Sequence, residues 1–200
     1  MTRERPSRAE AEAAVRTLLA FSGDDPGREE LRATPARVVE AFEEYFSGYR
    51  REAAELFRDR MPAGPMRGQP VVLRGIDFAS HCEHHLAPFF GTAQVGFIAG
   101  ENLVGLGQLV ELVRIYSRRL QIQERLTRQI ADALEAHLAP LGVGVLLEAT
   151  HTCAAVRGPC QPRGRFVTAC FRGAFAEDSA LRELLRSGTT GSSSPSVVCG

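Results

Sequence analysis

Four consecutive residues, Cys82-Glu83-His84-His85, place a thiolate, a carboxylate and two imidazoles next to an apolar run, inside the stretch Phe78 to Phe89. Cys82 and His85, spaced i and i+3, can turn two soft or borderline donors onto one point, which suits a zinc-type ion. Two ligands make half a site. The rest of the chain must therefore supply a third, and that requirement constrains the fold more than any other feature of the sequence.

The flanks of this half-site are β-type. VVLRGIDFAS and GTAQVGFIAG alternate and hold Val, Ile and Phe, so they read as two strands joined across the CEHH segment. A helical region follows, with one apolar stripe of Leu109, Leu112, Val113 and Tyr116 and a second of Leu126, Ile130, Ala133, Leu134 and Leu138. The intervening SRRLQIQ puts Gln123 and Glu124 at the start of the second helix. GVGVLLEATHTCAAV and RFVTACFRGAF then read as two further strands.

Before this unit, residues 7–21 have helical spacing, and Thr34-Pro35 reads as an N-cap with Pro at the first helical position, opening a helix to about Phe46 that Gly48 stops. The expected fold class is α+β, strand-strand-helix-helix-strand-strand after an N-terminal helical extension. The expected boundaries are 1–66 for the extension, 67–186 for the catalytic domain and 187–200 for a Ser/Gly/Thr-rich disordered tail.

Basic and acidic residues balance at 24 each, so no overall field favours nucleic acid or an anionic membrane, and neither is an expected partner. Every basic residue is Arg. The N-terminus carries charges where a signal peptide needs an apolar run, and no apolar stretch approaches the ~18 residues of a membrane span, so a cytoplasmic protein is expected. The five cysteines, Cys82, Cys153, Cys160, Cys170 and Cys199, form an odd set that favours free thiols or metal ligands over a disulfide framework.

His151-Thr152-Cys153 lies in a predicted strand, where residues two apart share a face. Cys153 is then a good third ligand beside Cys82 and His85, and three protein ligands with an open fourth place are the arrangement of a catalytic zinc. His84 and His151 sit beside ligands without being needed as ligands, and imidazoles titrate near physiological pH, so both are candidates for proton transfer.

These residues carry a resemblance. GDDPGREELRATPARV, CEHHL, YSRRLQIQERLT, and GVGVLLEATHTC followed by Arg157-Gly158 are similar to ordered motifs of the GTP cyclohydrolase I family, from about Gly23 to Phe175. The resemblance implies the tunnelling fold, a toroidal homodecamer with active sites between subunits, and a purine nucleotide substrate. It implies Zn2+ on Cys82, His85 and Cys153, with His151 and His84 as the catalytic proton-transfer residues. The implied reaction opens the guanine imidazole ring at C8, releases formate and gives 7,8-dihydroneopterin triphosphate. Substrate binding falls to Glu124, which accepts from the guanine N1–H and amino group, to Gln123, and to Ile122, Leu106, Arg37 and Arg157.

The chain departs from the family where the triphosphate is gripped. Gly107-Gln108 stands for a Ser-Lys pair, Glu111 for a helix Arg, and Gln161 for a loop Lys. A hydrogen bond to a charged group contributes roughly 1.5–3 kcal/mol, so these losses would weaken a phosphate site considerably. Two readings stay open here: compensation, with Arg163 and Arg165 as replacement contacts and Arg114 pairing with Glu111, or a guanine substrate with fewer phosphates. A non-catalytic zinc- and purine-binding homologue is a third.

Overall fold

The structure is a computed structural model that describes residues 5–186. The expected tail at 187–200 lies outside them. The chain divides into two compact units, Met1–Phe46 and Ser47–Gly200.

In the first unit, α1 (Arg8–Phe21) starts on a reciprocal cap: the Ser7 hydroxyl accepts from the Glu10 amide, and the Glu10 carboxylate accepts from the Ser7 amide at 2.8 Å. The next helix, α2 (Thr34–Tyr45), is capped by Ala33 without a side-chain bond, so Thr34 is its first residue and not its cap, and Pro35 follows where no intrahelical N–H is needed. Gly48 does not stop α2. It is a glycine because a Cβ there would lie 2.1 Å from the Ile115 carbonyl oxygen.

In the second unit, a short ribbon joins β1 (Met61–Pro62) to β4 (Asn102–Leu103). The main sheet contains β2 (Pro70–Cys82), β3 (Pro88–Ile98), β5 (Leu120–Gln121), β6 (Gly142–His151) and β7 (Phe166–Gly173). Its order among the described residues is β5-β2-β3-β6-β7. All pairs are antiparallel except β2 with β5, where His81 faces Leu120 and Cys82 faces Gln121 in parallel register. A bulge interrupts the β2–β3 register between Leu73 and Ile76, where Gly75 takes a φ of 70°.

The helices α3 (Leu106–Ser117) and α4 (Gln123–Leu138) cover one face of the sheet with the expected stripes. Leu109, Leu112, Leu126, Ile130, Leu134 and Leu138 are fully buried against Val95, Phe97, Val145 and Leu147. Ile98 and Leu146 have the opposite strand parity and so face the other side, where they pack with Phe175 and Leu185.

Phe175 and Leu185 belong to α6 (Ala174–Glu177) and α7 (Ser179–Arg186), which correct the expectation that RFVTACFRGAF is strand throughout. Gly173, at a φ of 52°, turns the chain out of β7 so that Phe175 comes back over Gly144. The strand expected through Cys153 is also corrected. β6 ends at His151, and α5 (Thr152–Ala155) is a single helical turn whose Thr152 hydroxyl donates to the Pro88 carbonyl at 2.6 Å. No helix among the described residues is long and apolar enough to cross a membrane.

Candidate metal and purine site

Cys82 is the last residue of β2 and is buried. The chain then folds back tightly: the amides of His85 and Leu86 both donate to the Cys82 carbonyl, and Leu86 adopts a left-handed φ of 55°. This turn returns His85 to Cys82, with 3.7 Å between Cys82 Sγ and His85 Nδ1, and puts His84 Nδ1 3.8 Å from the same sulfur. Two outside contacts hold the turn. The Glu83 amide donates to the Gln121 carbonyl, and the Glu83 carboxylate accepts both arms of the Arg125 guanidinium at 2.7 Å. Arg125 keeps the Glu83 carboxyl below the usual carboxylate range.

Cys153 reaches the same point from α5. One donor atom each from Cys82, His85 and Cys153 lies within 4.8 Å of the others. Since the strand ends at His151, the convergence comes from the helical turn and not from the shared strand face that the sequence suggests. Zinc ligands at ~2.3 Å for sulfur and ~2.1 Å for nitrogen, set tetrahedrally, are about 3.6 Å apart, so the observed sulfur–nitrogen distance suits such an ion. Burial and the neighbouring Cys82 push the Cys153 thiol up.

The cluster opens into a cavity of about 460 Å3 that is also lined by Ile122, Gln123, Glu124 and His151. Strand β5 accounts for this. By pairing with β2 it sets Gln121 beside Cys82, so that α4 starts at the cavity's edge and presents Glu124 there. The His151 ring stacks on Phe89, with centroids 4.4 Å apart and an interplanar angle of 6°, and meets Phe166 edge-on. Burial lowers the His151 pKa, and the charge of Glu124 partly opposes that shift.

Of the other expected substrate residues, Arg37 lies on α2 in the first unit, while Leu106 and Arg157 do not line this cavity. Sequence reasoning missed Gln121 and Phe166, which do line it, and Phe89, which supports His151. Phe89 sits within the opening stretch, but as one of several aromatics it gave no specific signal.

At the departures from the family pattern, Gln108 is occupied: its Oε1 accepts from the Gly105 amide at 2.7 Å, and its Nε2 donates to the Leu56 carbonyl at 2.6 Å. Glu111 is held between Arg51 at 2.5 Å and Arg114 at 2.6 Å, and Arg51 in particular draws its pKa down. Gln161 and Arg165 line the cavity. Arg165 is hydrogen-bonded to Thr150 and lies 3.8 Å from Glu148. A Cβ at Gly107 would meet nothing within 4 Å among the described residues.

Residues 11–189 match the family described as GTP cyclohydrolase I. The chain is 45% identical over 179 residues to the GTP cyclohydrolase 1 of Maricaulis maris, covering 90% of this chain and 87% of that one. It is 45% identical over 178 residues to the enzyme of the same name from Leifsonia xyli, covering 89% and 93%. For that of Bartonella henselae the identity is 41% over 180 residues, covering 90% and 87%. The sheet with its helix pair is the tunnelling fold, and the chain belongs to the GTP cyclohydrolase I family.

Proposed function

We propose that this protein is a zinc-dependent GTP cyclohydrolase I, which opens the guanine imidazole ring of GTP at C8, releases formate and yields 7,8-dihydroneopterin triphosphate. The observation that carries this reading is one cavity that gathers Cys82, His85 and Cys153 with His84, His151 and Glu124. Cys82, His85 and Cys153 would hold the zinc, which when bound makes hydroxide available near neutral pH.

The chain's own residues do the rest. Glu124 accepts the two adjacent donors of guanine's Watson–Crick edge, which adenine lacks, and the Ile122–Gln123 segment frames the base. His151, held between aromatic rings, and His84, beside Cys82, move protons as the ring opens. Arg37, Leu106 and Arg157, which do not line the cavity of this chain, are assigned to substrate contacts across subunits of a homodecamer. β7 has no further strand beyond it among the described residues, which suits edge-to-edge assembly. We place the enzyme in the cytoplasm.

A second reading, a guanine nucleotide or nucleoside with fewer phosphates, is favoured by one observation: Gln108, an uncharged residue, uses its side-chain oxygen to cap α3 and one amide N–H to hold the Leu56 carbonyl. Formate release from GTP, GMP and guanosine, measured side by side, separates the two. Turnover of GMP without turnover of GTP would overturn the first reading. His151→Ala should abolish formate release while zinc stays near about one per subunit; if the wild type itself releases none from any of the three, a non-catalytic binding role takes over.

A further inference from the structure

Gln123 opens α4 at the cavity wall, yet its side chain is only 1% exposed. Its Nε2, with two protons to give, faces three acceptors, the Phe166 carbonyl at 2.9 Å, the Leu147 carbonyl at 3.1 Å and the Thr168 hydroxyl at 3.1 Å, so one proton is shared. Carbonyl oxygens only accept, so the amide cannot be turned over without setting oxygen against oxygen. The hydroxyls fix the same direction. Thr127 gives its one proton to the Gln123 backbone carbonyl at 2.8 Å, so the 2.6 Å contact between Thr127 and Thr168 must be donated by Thr168. The Thr168 oxygen is then left to accept from Gln123 Nε2.

With its nitrogen so committed, Gln123 can offer His151 only its oxygen. The 2.9 Å contact between Gln123 Oε1 and His151 Nε2 therefore requires the proton to lie on His151 Nε2. Phe89 stacked on the ring prevents it from rotating away.

We propose that Gln123 is a positioning residue for His151, holding the imidazole as its Nε2–H tautomer so that Nδ1 is the ring nitrogen that exchanges protons with substrate. The function of that exchange rests on the cyclohydrolase reading; the tautomer does not. The chain of bonds runs through β6, β7 and α4, so the proton-transfer group is set by the packing of three elements and not by its own strand alone. Gln123 accordingly acts through His151, and its side-chain amide is not a group that reads the base.

The test is solid-state 15N spectroscopy of the zinc-loaded protein with labelled histidine, the His151 signals being identified from the His151→Ala spectrum. A protonated Nε2 with a lone pair on Nδ1 is expected; the reverse pattern overturns the proposal. With Gln123→Met, kcat for GTP should fall about 10- to 100-fold with little change in KM, and both tautomers should appear. A rise in KM with kcat unchanged would instead make Gln123 a substrate contact and overturn the proposal. Should that variant not fold, Thr168→Val removes one link of the chain, and the wild-type spectrum decides the tautomer by itself. Absence of formate release from wild type would fell the cyclohydrolase reading and leave the tautomer result standing.

Discussion

The ends of β2, β5 and β6 and the first turns of α3 are held by different physics. Around the strand ends, Cys82 at the end of β2 and Gln123 at the start of α4 are buried, the turn after Cys82 bonds back to its own carbonyl, and the Gln123 amide nitrogen faces acceptors on three other residues. At the start of α3, Gly107 is a glycine facing open space, Gln108 a glutamine engaged in a cap, and Glu111 a half-buried carboxylate between two arginines. The first region is preorganised and expensive to alter; the second is made of surface ion pairs and a helix cap, each contributing little. A sequence can therefore change at the second region without loss of fold.

The largest effect expected from attacking the first region comes from Cys153→Ala. Cys153 is only partly buried, so the fold should survive, but zinc should be lost and formate release should fall at least about 100-fold. Retained zinc with full activity would remove Cys153 from the metal set. Zinc content and formate release on the same sample decide it.

A paired substitution tests the contrast in stability. A Cβ at Gly91 in β3 would lie 1.9 Å from the Glu148 carbonyl oxygen and 2.6 Å from Ala149 Cα, so Gly91→Ala should cost about 3 kcal/mol or more in denaturant unfolding. Gly107→Ala, with open space around it in the first turn of α3, should gain up to about 0.5 kcal/mol. Equal effects at the two glycines would erase the distinction between a packed region and a permissive one.

Glu83→Gln probes the link between packing and chemistry. Its carboxylate meets both arms of Arg125 and so fixes the turn that carries His84 and His85, although the pair is itself exposed. Thermal stability should change little, whereas kcat should fall about tenfold because the histidine turn loosens. Unchanged kcat would show that the backbone bonds to Cys82 suffice.

Much of the first region is legible in the sequence, because it depends on chemistry-bearing residues close together in the chain: Cys82 with His85, and the leucine stripes that place α3 and α4. What stayed hidden depends on contacts between distant segments. β5 is two residues long, too short for any periodicity, yet it sets α4 against Cys82. α5 looks like strand because Thr152 and Cys153 continue an alternating pattern, and only the bond from Thr152 to Pro88 reveals the turn. The sequence places Gln123 at a helix start, and its burial appears only when β6 and β7 close over it. For Glu111 the ion pair with Arg114 is readable from the i+3 spacing, while the one with Arg51, 60 residues away, is not.

The smallest effect, Glu111→Gln, measures how much the second region's electrostatics contribute. Arg51, with Arg114, depresses the Glu111 pKa in the folded state. A depressed carboxylate contributes stability above its unfolded value, near ~4.3, and loses that contribution as pH falls through the folded value. The wild type should thus exceed Glu111→Gln by about 0.5 kcal/mol at neutral pH, the figure for a partly exposed pair. The difference should hold down to about pH 5 and shrink below about pH 4, as the wild-type carboxyl takes up its proton. Near ~1 M salt, where the screening length is ~3 Å, it should also largely vanish. A difference that persists in acid and in salt would mean that Glu111 acts through packing rather than charge. If the electrostatic account holds, the variant also tests the phosphate question: removing the carboxylate releases Arg51 and Arg114 from their shared anion, and the KM for GTP should fall only if these arginines meet the phosphates.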